Sequence, residues 1–204
     1  MFLTDGPDAA EQVYVFAHGA GGAMDTPFMT TVARELGERG IRVVRFEFPY
    51  MAARRTGGKR GAPDREPVLL NTWREVSAQL GGGPRLFIGG KSMGGRMATL
   101  VADELGVRGA VCFGYPFHPP GQPQKLRTAH LEAMKSPMLV LQGERDPFGT
   151  RADVAGYRLS PKIRIEWIPD GDHSLKPRAK SGTTERQNLL HAIDAAAAFI
   201  NAHD

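Results

Sequence analysis

The strongest constraint on the fold of this chain is the alternation of short apolar segments with segments of helical periodicity. Apolar, β-branched or aromatic runs of strand length occur at 12–17, 41–47, 85–90, 107–113, 137–142 and 163–168. Several of these runs are almost continuously apolar, as strands buried on both faces are. Alternation of strand and helix from end to end predicts an α/β fold, with a mostly parallel sheet and helices on both of its faces.

Four helices are predicted between and after these strands. The first follows Thr26 as N-cap and ends at Gly40, and the second carries an apolar stripe from Val68 to Leu80. The third runs over 96–105, and the last opens with a capping-box pattern at 184–187. In such sheets ligands bind beyond the carboxyl ends of the strands, so we expect the functional residues there.

The length and composition predict one domain over residues 1–204. A chain of 204 residues with 41% hydrophobic and 24% charged residues is typical of a single globular domain. The lone Cys112 excludes an internal disulfide and any multi-cysteine metal site, and it favours a reducing compartment, so we expect a cytoplasmic protein. No apolar stretch is long enough for a signal peptide or a membrane span.

Residues 90–94 (GKSMG) follow the third predicted strand and match the Gly-x-Ser-x-Gly nucleophile elbow. This motif needs glycines because a sharp turn from strand to helix strains the serine and brings neighbouring backbone close. The same residues also resemble the end of a phosphate-binding loop. That motif requires a glycine where Arg85 stands, and strand-like residues fill the place of its flexible loop, so we favour Ser92 as a nucleophile.

A serine nucleophile needs a general base and a carboxylate that orients it. His173 follows the last predicted strand, and Asp146 follows the strand before it. Asp172 and Glu144 are weaker candidates for the acid. The order Ser92, Asp146, His173 along the chain is the order found in α/β hydrolases.

Acyl transfer also needs amide donors for an oxyanion. The first predicted strand ends in the glycine-rich segment 17–22 (AHGAGG), which suggests the amide of Ala20 or of Gly21, together with that of Met93. A dinucleotide-binding loop is the alternative for this segment. It is disfavoured because the glycine spacing differs and no suitable acidic residue ends the second strand.

With these motifs the sequence resembles the α/β hydrolases, and more narrowly the small lid-less branch of dienelactone-hydrolase-like proteins related to animal testis-expressed and NSL-complex-subunit proteins. The resemblance runs from about residue 12 to the end of the chain. It implies Ser92 as nucleophile, Asp146 as acid and His173 as base. Dienelactone hydrolases proper use a cysteine nucleophile, so their substrate is not implied here. The matching stretches are 18–22, 46–51, 89–96, 114–121, 143–149 and 171–173.

The connections suggest the kind of substrate. Residues 114–136, where capped hydrolases carry a lid, are few and rich in proline, which predicts an open site and a soluble ester, thioester or small amide as substrate. Basic residues in the connection 52–67 and after His173 would favour an anionic acyl substrate if they line the cleft, although a solvated surface explains them equally well. They are Arg54, Arg55, Lys59, Arg60, Arg65, Lys176, Arg178 and Lys180.

The sequence therefore predicts a serine hydrolase with a Ser-His-Asp triad. It implies no metal and no organic cofactor, and it does not indicate the oligomeric state. Nucleic-acid binding is disfavoured by the modest net charge of +4 and by the lack of aromatic residues in the basic connection. The alternative from another class is a catalytically silent hydrolase-fold protein whose basic connection binds a protein partner.

Overall fold

The computed structural model describes residues 1–58 and 61–203. Lys59 and Arg60, two of the basic residues singled out above, lie outside this range. The strands are β1 (Leu3–Asp5), β2 (Val13–Ala17), β3 (Arg42–Phe46), β4 (Leu86–Lys91), β5 (Gly109–Phe113), β6 (Met138–Gly143) and β7 (Ile163–Ile168). The α-helices are α1 (Pro27–Glu38), α2 (Pro49–Arg55), α3 (Glu66–Gln79), α4 (Met93–Leu105), α5 (Arg151–Val154) and α6 (Glu185–Ala202).

The strands form one sheet in the order β1-β3-β2-β4-β5-β6-β7. All neighbouring pairs are parallel except β1 with β3. This confirms the predicted single-domain α/β architecture with a mostly parallel sheet. β4 lies at the centre of the sheet, so its carboxyl end is flanked by the ends of β2 and β5.

The helices cover both faces of the sheet, as predicted. One apolar cluster packs α3 and α4 against the sheet through side chains such as Trp73 and Met97. A second cluster packs α1 and α6 on the opposite face, through Leu36 and Ile193 among others. Cys112 belongs to the first cluster and is fully buried.

Three of the strands and α-helices of the described residues were not predicted from the sequence: β1, α2 and the four-residue helix α5. β1 has three residues, too few for a periodic pattern, and its only neighbour in the sheet is β3. The helix α2 occupies part of the connection after the second predicted strand, where Pro49 supplies the first-turn proline that suits a helix start.

The helix ends also differ in detail from the prediction. Thr184 and Gln187 form the predicted capping box at the start of α6. Thr26 occupies the N-cap of α1, but its side chain makes no capping hydrogen bond. The helix α4 begins at Met93, three residues before the predicted start. The prediction was late because Gly94 and Gly95, in the first turn, carry no apolar signal. Among the described residues, no helix is both long and apolar enough to cross a membrane.

Candidate active site

Ser92 lies between β4 and α4 in a strained backbone conformation. Its φ of 50° and ψ of −116° fall outside the regions that L-residues favour. The backbone of this turn lies close to the main chain at the end of β2. A Cβ on Gly90 would lie 2.4 Å from the Ala17 carbonyl oxygen, and one on Gly94 would lie 2.4 Å from that of His18. Only glycine fits at these two positions.

The structure brings Ser92, His173 and Asp146 into one hydrogen-bonded chain. The Ser92 Oγ atom lies 2.8 Å from His173 Nε2, and His173 Nδ1 lies 2.8 Å from Asp146 Oδ2. A carboxylate only accepts hydrogen bonds, so Nδ1 carries the proton and Nε2 is free to accept one from the serine hydroxyl. This is the geometry that a serine nucleophile and its general base require.

Asp146 is fully buried and well supplied with donors. The Phe148 amide donates to Oδ1 over 2.8 Å, and the Gln142 side-chain amide donates to Oδ2 over 3.0 Å. The ring of Phe148 also packs on the His173 imidazole, with centroids 4.1 Å apart. Gln142 and the Phe148 ring contact were not recognised from the sequence, because nothing local marks a residue that supports a distant histidine.

The two weaker candidates for the acid, Asp172 and Glu144, do not contact the His173 imidazole. Asp172 accepts hydrogen bonds from the amides of Ser174 and Lys176, and so closes the turn that follows His173. Glu144 pairs with Arg151 and accepts from the Asp170 amide. The structure therefore places Asp146, and neither of these two, against the imidazole.

The predicted oxyanion segment lies beside the serine. Ala20 and Gly21 line the same cavity as Ser92, and Met93 is the first residue of α4, where amides have no intrahelical acceptor. Two side chains that the sequence analysis did not assign hold this segment. His18 donates from Nδ1 to the Gly19 carbonyl (2.7 Å) and accepts at Nε2 from the Phe48 amide (3.1 Å). Burial lowers the pKa of His18, which favours the neutral ring that this pairing needs.

Tyr50 is the second side chain that holds this segment. Its hydroxyl donates to the Ala20 carbonyl over 2.9 Å. Burial raises its pKa to about 12, so the hydroxyl keeps its proton at neutral pH.

A cavity of about 320 Å³ opens beside Ser92 and His173. Its apolar wall comes from Phe28 and Met29 at the start of α1. In the sequence Phe28 carries only the signal of a helix core position, so its place in the cavity is set by the tertiary structure. The other lining residues are Gly19, Ala20, Gly21, Gly22, Thr26, Lys91 and Ser174.

The segment that would carry a lid is short and irregular. Between Gly114 and Ser136 its one regular element is a single 3₁₀ turn at Ala129–Leu131. No helical cap therefore covers the cavity from this connection, as the sequence predicts.

Of the six described basic residues singled out from the sequence, three are paired with carboxylates. Arg55 pairs with Asp25 and Glu47, and Arg178 pairs with Asp170. Lys176 pairs with Glu185. Among the described residues, Arg54, Arg65 and Lys180 form no ion pair. The unpaired positive charge near the cleft is thus smaller than the sequence suggests.

The remaining histidines of the described chain lie outside the cavity. His118 and His130 are held by the Pro119 carbonyl and by Thr99, and His191 and His203 by Glu166 and the Phe199 carbonyl. Within residues 1–58 and 61–203, no group of three or more His, Cys, Asp or Glu side chains is placed to hold a metal ion.

Comparison with known proteins places this geometry in context. A family model described as an alpha/beta hydrolase domain matches residues 10–201. A serine hydrolase homologue from Coxiella burnetii is 19% identical, with a TM-score of 0.66 over 97% of this chain and 90% of its own. A serine hydrolase without a lid from Xanthomonas campestris is 20% identical, with a TM-score of 0.64 over 99% and 86%. Est1E from Butyrivibrio proteoclasticus is 14% identical, with a TM-score of 0.71 over 99% and 93%.

Proposed function

The chain belongs to the alpha/beta hydrolase family, and on that basis we propose that it is a serine hydrolase that cleaves small carboxylic esters or thioesters through an acyl-enzyme. The contact of 2.8 Å between Ser92 Oγ and His173 Nε2 is the observation that carries this proposal. A hydroxyl is a weak nucleophile until a neighbouring base accepts its proton, and His173 is placed to do so.

In the first half of the reaction, Ser92 Oγ attacks the acyl carbon while His173 Nε2 takes its proton. The negative charge that develops on the acyl oxygen is received by the amides of Met93 and of Ala20 or Gly21. Asp146 stabilises the imidazolium through Nδ1. His173 then returns the proton to the departing alkoxide or thiolate, which leaves Ser92 acylated.

In the second half, water replaces the leaving group. His173 Nε2 takes a proton from that water as it attacks the acyl carbon, and the proton returns to Ser92 Oγ when the acid departs. No cofactor takes part in either half. The cavity of about 320 Å³ and its Phe28 and Met29 wall favour a small acyl or alcohol group over a long lipid chain.

We place the chain in the small lid-less, dienelactone-hydrolase-like branch on its sequence motifs, and we expect it in the cytoplasm because its one cysteine is unpaired and buried. An anionic acyl substrate would be attracted by Lys91 in the cavity wall and by Arg54, Arg65 and Lys180, so its rate of hydrolysis should fall with added salt.

A fluorophosphonate probe tests the reaction class directly, because an activated serine displaces its fluoride and becomes phosphonylated, whereas an ordinary serine does not react. We expect the wild-type protein to be labelled and Ser92→Ala to be unlabelled. Absence of labelling of the folded wild-type protein would refute the proposal and support a catalytically silent binding protein. A panel of acyl esters and thioesters of graded length and charge would then define the substrate.

A further inference from the structure

Lys91 is the last residue of β4 and immediately precedes Ser92. Its side chain is partly buried in the wall of the cavity, and Nζ lies 5.6 Å from the centroid of the Phe28 ring. Nζ also donates a hydrogen bond to the main-chain carbonyl of His173. Lys91, the neighbour of the proposed nucleophile, is therefore hydrogen-bonded to the main chain of His173, the proposed base.

Space for this contact depends on Gly114, at the end of β5. A Cβ on Gly114 would lie 2.7 Å from the His173 carbonyl oxygen and 2.9 Å from Lys91 Nζ. Gly114 also has a φ of 68°, a conformation that glycine adopts without strain. The Lys91 side chain thus passes over the end of β5 to reach the loop after β7.

The Lys91 ammonium lies where desolvation makes its charge unfavourable. In the described part of the chain Lys91 forms no ion pair, and the carboxylates that act on it from a distance are Asp146 and Asp172. Burial lowers the pKa of Lys91 to about 8. A partly buried lysine without an ion pair does not favour stability, because taking its charge out of water is unfavourable.

We propose that Lys91 is a positioning residue, which holds the main chain of His173 so that the imidazole stays on Ser92 Oγ. The inference rests on the proposed function. His173 is then anchored at two points: Asp146 holds the ring through Nδ1, and Lys91 holds the backbone through the carbonyl. The contact with Asp146 sets the orientation of the imidazole ring. The contact with Lys91 sets the distance between the ring and β4, the strand that leads to Ser92.

Lys91→Met tests this role, since methionine keeps the apolar stem that lines the cavity and removes the donor. We expect kcat to fall about 10- to 100-fold, because a displacement of the base by about 1 Å can lower the rate by about 100-fold. KM should change little, since the cavity wall is preserved. Lys135→Met, at an exposed lysine away from the cavity, is the matched control.

Chemical rescue separates a lost donor from a damaged fold. Lys91→Cys can be alkylated with 2-bromoethylamine, which joins the thiol to an aminoethyl group and restores a side chain of lysine length and charge. The native Cys112 is fully buried, and burial raises the pKa of its thiol, so it should not react in the folded protein. We expect alkylation to restore most of the lost kcat, and the reagent to leave the wild-type protein unchanged.

Labelling rates with the fluorophosphonate distinguish the two proposals. If the wild-type protein is not labelled, the proposed function fails. If the wild-type protein is labelled and folded Lys91→Met is labelled at the same rate with unchanged kcat, only the role of Lys91 is refuted. A loss confined to KM, or a loss of kcat that alkylation of Lys91→Cys does not reverse, would also overturn it.

Discussion

Replacing Asp146 by asparagine tests the proposed triad most sharply. Asp146 Oδ1 must go on accepting from the Phe148 amide, which turns the new side-chain NH₂ toward His173 Nδ1 and the Gln142 amide. A donor facing Nδ1 forces the imidazole proton onto Nε2. The ring then points a proton at Ser92 Oγ and can no longer accept one.

The size of the effect follows from the distance between the two groups. When His173 takes the serine proton, a positive charge forms on a ring whose Nδ1 lies 2.8 Å from the carboxylate oxygen. At an effective dielectric constant of about 20, that pair is worth about 6 kcal/mol. At 1.36 kcal/mol for each factor of ten, its loss lowers kcat by about 10⁴, the same order as the loss that this substitution causes in serine proteases.

Steady-state hydrolysis of a small activated ester such as p-nitrophenyl acetate measures this loss, with Ser92→Ala setting the background. Asp172→Asn and Glu144→Gln are the matched controls, because they neutralise nearby carboxylates that do not touch the imidazole. We expect both to keep most of the activity. If folded Asp146→Asn keeps more than about a tenth of wild-type kcat, or if Asp172→Asn loses as much, the assignment of the acid is wrong.

Two further predictions concern stability. Gly94→Ala should lower the free energy of unfolding in urea by about 1–3 kcal/mol, because its Cβ meets the His18 carbonyl at 2.4 Å. Gly156→Ala, whose Cβ would meet the Asp153 carbonyl oxygen at 3.6 Å, should be nearly neutral; equal effects would contradict the packing argument. Burial lowers the pKa of His130 in the folded protein to about 4. In the unfolded chain the same histidine takes up a proton at a higher pH, about 6.5. The folded state therefore loses stability relative to the unfolded chain as the pH falls from about 6.5 toward 4. Relative to His130→Gln, the wild-type protein should lose about 1–2 kcal/mol between pH 7 and pH 4.5 after allowance for solvent screening; an unchanged difference would refute this.

Much of the fold could be predicted because its signals are local. The six longer strands were located to within two residues, since apolar runs and the turns that bound them are written into consecutive residues. The strained turn at Ser92 was marked by its own glycines. Strand β1 gave no such signal, because three residues at the sheet edge become a strand only by pairing with β3.

The sequence by itself determined the order of the six longer strands and the four longer helices, and it placed Ser92 in the turn between β4 and α4. It favoured Asp146 as the acid and left Asp172 and Glu144 as weaker candidates, since all three follow a strand. Only the tertiary structure decided which carboxylate contacts His173, because that contact joins elements that are distant along the chain. The same holds for Lys91, whose donor reaches a carbonyl 82 residues away across the end of β5. Local periodicity determines where the helices and strands lie along the chain. The pairing of distant side chains depends instead on how the twisted sheet brings the ends of its strands together.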